Sequence, residues 1–166
     1  MYKQIKLLGH PVHPMLVAFP IAFYNGTLAS FIIYAITQDV FWFRVGYVSN
    51  IAGVVMAAIA ALPGFVDLVF LPDDSKAKST GLKHMACNVI ALFLFIVNIF
   101  LQMNKLSLPG LPDATYAIWL SAIGVFVTII AGFLGWKMIQ VHHVGIDLTP
   151  EQKKFEPVDE TKLKAA

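Results

Sequence analysis

Residues 9–36 read GHPVHPMLVAFPIAFYNGTLASFIIYAI: two histidines, each followed by a proline, then an apolar run that continues to Ile36. About 20 apolar residues carry an α-helix across the hydrocarbon of a bilayer. The stretch therefore predicts a first membrane span over residues 15–36. The run is too long for the core of a signal peptide and no small-residue cleavage site follows it, so the span is expected to remain as an anchor. Pro14 suits the first turn of a helix, where a missing N–H costs nothing. Pro20 should kink the span and free a backbone carbonyl near its histidine end. His10 and His13 each precede a proline and are expected in extended backbone, as a stiff elbow at the membrane entrance. At the positive end of the helix dipole, His13 should be neutral and able to ligate.

Three further apolar runs follow, at roughly residues 46–70, 82–103 and 116–141. The chain has 166 residues, 58% hydrophobic and 13% charged, and a mean hydropathy of +0.72. A soluble domain of this length is nearer a quarter charged. The reading is an all-α integral membrane four-helix bundle with both termini on one side. Residues 1–14 form an N-terminal arm, 15–146 the membrane domain and 147–166 a polar, mobile C-terminal tail. Phe41, Trp42, Phe43 and Tyr47 read as an interfacial aromatic belt ahead of the second span, and Lys76 to Thr80 as a polar loop. Gly46, Ser49, Gly53, Ala57, Ala60 and Gly64 make a small-residue stripe that suits close helix packing, within the chain or in an oligomer.

Ten of the twelve Lys and Arg residues fall on the terminal face: Lys3, Lys6, Lys76, Lys78, Lys83, Lys137, Lys153, Lys154, Lys162 and Lys164. Arg44 and Lys105 fall on the other. The positive-inside rule makes the terminal face cytoplasmic. A net charge of +2 with no basic stripe argues against nucleic acid, and a single cysteine, Cys87, allows no intrachain disulfide. No serine-hydrolase elbow, zinc-protease helix, phosphate loop or paired-cysteine motif is present. A transporter is disfavoured, because the two halves show no evident repeat and polar residues within the spans are sparse.

The same topology gathers His10, His13, His84, His142 and His143 at one end of the bundle, together with Asp67. Imidazole binds haem iron, copper, zinc and non-haem iron. A bundle can hold a flat haem between facing helices with one neutral histidine on each side of the ring. The candidate ligands are His10, His13, His84 and His142, for one b-type haem or else a transition-metal ion. Asp67, Asn88 and the carbonyls freed by Pro20 and Pro63 are candidates to orient them. The expected activity is electron transfer with a quinone or a redox partner, without stand-alone catalysis. The rival reading is a structural or assembly subunit, or a metal carrier or sensor, in which the histidines and Asp67 form a hydrogen-bonded clasp.

The opening GHPVHPMLVAFPIAF, the ALPGFVD around Asp67, the GLKHMACN around His84 and the GWKMIQVHHVGI that ends the fourth span resemble, in that order, the DUF2231 family of predicted bacterial membrane proteins. The resemblance covers residues 9–146. It implies a four-helix membrane domain in a bacterial inner membrane, distantly similar to membrane di-haem cytochromes, and some members are fused to Rieske-type domains. Both features favour electron transfer. The family pattern His-Gly-Val-Gly-Val corresponds here to His142-His143-Val144-Gly145-Ile146, so His142 matches the family histidine and His143 replaces a glycine. The family's paired glycines correspond to Gly135-Trp136. A di-haem arrangement needs histidines on both sides of the membrane. This chain has none on the far side, which leaves room for one haem at the terminal face.

Overall fold

A computed structural model describes residues 4–146 and 149–155. Four helical spans are long and apolar enough to cross a membrane. The first is broken into α1 (Val12–Leu16) and α2 (Ala18–Thr37). The others are α3 (Val40–Val69), α4 (Lys76–Gln102) and α5 (Thr115–Gln140). A short helix α6 (Pro150–Phe155) follows; the rest of the expected tail lies outside the described residues. The break falls at Val17, three residues before Pro20, which has no N–H to offer the Leu16 carbonyl. The described ends of the chain meet at one end of the bundle. There the Ile5 N–H donates to Asp67 at 2.8 Å, and Val144 packs in a cluster with Leu68, Leu71 and Ala77.

Local capping sets boundaries that composition misplaces. Gln38 adopts a left-handed conformation with φ 57° and its N–H closes α2 on Tyr34. Asp39 accepts the Phe41 N–H at 2.9 Å and starts α3 at once. The aromatic belt therefore lies on the first turns of α3, with Phe41 outward and Phe43 buried. Ser75 accepts the Lys78 N–H at 3.0 Å, so Lys76 to Thr80 is helix and not loop. His13 is also helical, against expectation: Pro11 caps α1 and Pro14 stands in its first turn, where prolines leave no donor orphaned. His10 is extended, in a small hairpin of β1 (Lys6–Leu7) and β2 (His10–Pro11) that turns through Leu8 and Gly9.

The two halves repeat, which the sequence alone does not reveal. Moving 71 places along the chain takes His13 to His84, Tyr24 to Phe95, Gly53 to Gly124, Ala60 to Ala131 and Gly64 to Gly135. The contacts move with the residues. Gly53 lies under the Tyr24 ring and Gly124 under the Phe95 ring. Helices α2 and α3 form one antiparallel hairpin and α4 and α5 the other, with α2 against α5 and α3 against α4 across the middle. This is a parallel repeat about an axis along the membrane normal. Tyr24 and Phe95 stack on that axis, centroids 3.7 Å apart and planes within 3°.

Large apolar side chains face outward, where lipid receives them: Ile36, Leu62, Ile129 and Trp119 are all exposed. Small and polar residues fill the inside. Thr27, Asn50, Asn98 and Ser121, one from each long helix, are fully buried one turn beyond the Tyr24–Phe95 stack. Asn98 donates to Ser121 at 2.9 Å and accepts from Gln102 at 3.3 Å. The interior of the spans is thus more polar than the low charge content implies. The small-residue stripe turns inward: a side chain at Gly46, Gly53 or Gly64 would meet Phe31, Tyr24 or His13 of the same chain.

Candidate functional site

The repeat places one histidine from each hairpin at the same level, three turns on the terminal side of the Tyr24–Phe95 stack. His13 Nδ1 lies 2.8 Å from the Ala60 carbonyl oxygen, and His84 Nδ1 lies 2.8 Å from that of Ala131. Both bonds span 47 residues. A carbonyl only accepts, so each Nδ1 carries the proton and each Nε2 keeps its lone pair. The first bond ties α1 to α3 and the second ties α4 to α5. Pro63 is not what makes the acceptor available, because Leu134 holds the corresponding place in α5 and Ala131 accepts all the same.

Glycine makes room for both rings. A methyl group on Gly64 would lie 2.6 Å from His13 Cε1 and Nδ1, and one on Gly135 would lie 3.2 Å from His84 Cε1. The two imidazole centroids stand 6.1 Å apart with planes at 86°. They look into a cavity of about 550 Å³. Its lining comes largely in repeat-related pairs: Ile21 and Leu92, Ala57 and Thr128, Ala61 and Gly132, Phe65 and Trp136, Leu68 and Ile139. Three pairs differ in polarity: Ala57 corresponds to Thr128, Val17 to Asn88 and Asp67 to Met138. Asn88 donates through Nδ2 to the His84 carbonyl at 2.9 Å and to His84 Nε2 at 3.1 Å.

The other two candidate histidines stand apart from this cavity. His10 is exposed on the terminal hairpin. His142 lies past the end of α5, with Nε2 3.0 Å from the Thr80 hydroxyl oxygen. That hydroxyl gives its proton to the Lys76 carbonyl, so His142 Nε2–H is the donor. Burial, then the nearby charges of Lys137, Lys76 and His143, hold the His142 imidazole below its ordinary pKa. Asp67 lines the cavity, but its carboxylate holds the Ile5 N–H, and neither Nδ1 is bonded to it. Among the described residues, no group of three or more His, Cys, Asp or Glu side chains converges as a metal-ion site. The Ala60 and Ala131 carbonyls, the room that Gly64 and Gly135 leave for the rings, and the Tyr24–Phe95 stack escape sequence reasoning. Their signal is the recurrence of a histidine followed 47 residues later by Ala-x-x-x-Gly.

A family model described as a predicted membrane protein, DUF2231, matches residues 9–148. The chain belongs to this family. The match takes in both histidines of the cavity, both carbonyls that hold them and both hairpins of the repeat. No curated protein and no solved structure matches the chain.

Proposed function

We propose that this DUF2231 protein binds one b-type haem between His13 and His84 and serves as a membrane electron-transfer protein. The observation that carries the reading is the pair of imidazoles 6.1 Å apart, one from each hairpin, each oriented by a backbone carbonyl, with the His13 Nε2 left to ligate and the His84 Nε2 held by the Asn88 amide it would exchange for the metal. A ligating histidine commonly hands its other N–H to such a carbonyl. With their centroids 6.1 Å apart, the two rings are near enough that one bound group could be held by both.

Ligand count separates haem from a bare ion. A structural zinc ion takes four protein ligands, whereas a porphyrin supplies four of its own and asks the protein for two. The cavity volume lies within the usual range of roughly 300–1,000 Å³ for small-molecule sites. Its apolar walls would exclude water. When bound, haem supplies one-electron chemistry. The protein would hold it by the two Nε2 atoms, fix both imidazole tautomers through Ala60 and Ala131, and shield it with Phe65 and Trp136. A quinone or a redox protein would exchange the electron. The lysine distribution supports a cytoplasmic position for this end of the bundle in a bacterial inner membrane.

The test is a reduced-minus-oxidised visible spectrum of the detergent-purified protein, expressed with haem supplied. Sharp Soret and α bands are expected near one haem per chain. The sharp α band should be lost in His13→Gly and His84→Gly, where haem held by the remaining histidine leaves a broadened Soret band; it should be restored in part by added imidazole and be unchanged in His10→Ala and His142→Ala. A flat spectrum from folded, haem-supplied protein would overturn the haem reading in favour of a structural clasp.

A further inference from the structure

The cavity is symmetric in its histidines and asymmetric around them. One turn deeper than His13 on the first span stands Val17; at the corresponding place below His84 stands Asn88, and both line the cavity. Asn88 Nδ2 already reaches His84 Nε2, at 3.1 Å, while anchored on the His84 carbonyl at 2.9 Å. An unligated His84 therefore finds a hydrogen bond in place, with no backbone movement. Val17 can offer His13 nothing of the kind.

The glycines give a second, independent asymmetry. The His13 ring is wedged over Gly64, whose Cβ position is 2.6 Å from two of its atoms. The His84 ring sits farther from the Gly135 Cβ position, at 3.2 and 3.5 Å. His13 has little room to turn, and His84 has more. Both differences favour the same ligand leaving.

We infer that His84 is the exchangeable ligand and that its face of the cavity admits a small neutral diatomic molecule, such as carbon monoxide, nitric oxide or dioxygen, to which Asn88 presents its amide. This rests on the haem reading above. With His84 swung aside, Asn88 Nδ2 is the polar donor on that face, and donors in such a pocket govern which small molecules bind. The rest of the lining is largely apolar and the carboxylate in it is that of Asp67, so it selects against anions, which would lose their hydration without compensation.

The experiment is a carbon monoxide titration of the dithionite-reduced, haem-replete full chain in detergent, with Soret and infrared readouts. The wild type should bind, shifting the Soret band. Asn88→Val makes the second hairpin match the first. It removes one hydrogen bond from the detached histidine and one donor from the ligand, and carbon monoxide affinity should fall about five- to tenfold. The C–O stretch should shift with it. As a check that does not depend on that variant folding, His84→Gly should bind carbon monoxide more tightly than His13→Gly. A haem protein that ignores saturating carbon monoxide would overturn the inference while leaving the haem reading intact. So would equal affinity and an unmoved C–O stretch in Asn88→Val, or the reverse order of the two glycine variants. Absence of any haem band in the wild type would instead overturn the reading beneath it.

Discussion

Gly64 and Gly135 occupy the same place in the repeat and carry opposite expectations for Gly→Ala. In an unobstructed helix the change is worth roughly 1 kcal/mol of stabilisation. At Gly64 the new methyl would lie 2.6 Å from His13 Cε1 and Nδ1, a distance real Cβ atoms do not adopt. The ring is tied to the Ala60 carbonyl at 2.8 Å and must leave it to make way. Overpacking costs about 1–3 kcal/mol, and the lost hydrogen bond about 0.5–1.5 kcal/mol. Set against the helix gain, Gly64→Ala should destabilise by about 1–3 kcal/mol. At Gly135 the nearest ring atom is 3.2 Å away, and a shift of a few tenths of an ångström relieves it. Gly135→Ala should then fall within about 1 kcal/mol of the wild type, on either side. Reversible unfolding in mixed micelles, followed by circular dichroism, measures both. Equal destabilisation of the two variants, or a larger loss in Gly135→Ala, would refute the wedging of His13 over Gly64.

Removing the Asn98 side chain in Asn98→Ala strands the Ser121 hydroxyl and the Gln102 amide in the bundle interior. Hydrogen bonds between membrane helices are worth about 0.6–1.7 kcal/mol each, so the same unfolding assay should show a loss of that order. His142 gives a pH signature. Its pKa is held below the ordinary value in the folded protein, so the unfolded chain takes up the proton first as pH falls. Stability should therefore decline as pH falls through about 6.5 and be unaffected above it. A denaturation series from pH 8 to pH 5 should show this slope in the wild type and a shallower one in His142→Gln.

How much of this was legible in the sequence depends on the range of the interaction. The four spans follow from run length and hydropathy, which are local. Helix starts at Val40 and Lys76 depend on single capping side chains, Asp39 and Ser75, which window-averaged hydropathy overrides. The repeat hides because lipid-facing positions accept any large apolar residue. Between residues 10 and 70, only His13, Gly53, Val54, Ile59, Ala60 and Gly64 find an identical residue 71 places on. For the site, sequence could gather five histidines at one end of the bundle but not sort them. What sorts them is a pair of backbone carbonyls 47 residues away, and no composition or spacing rule points to a carbonyl. Asp67 illustrates the converse. An acid inside an apolar run suggests a partner for a ligand, yet it fastens the N-terminal strand through Ile5.

The turn from α3 into α4, residues 70–75, is the only covalent link between the two hairpins. A single hairpin that met a second copy of itself across a true two-fold axis would already own a facing histidine pair, with a carbonyl and a glycine for each. In such an assembly every residue appears twice, and both faces of the site are bound to be alike. Joining the halves in one chain lifts that identity. Val17 and Asn88, or Asp67 and Met138, are then inherited separately, and one side of the cavity can change while the other holds still.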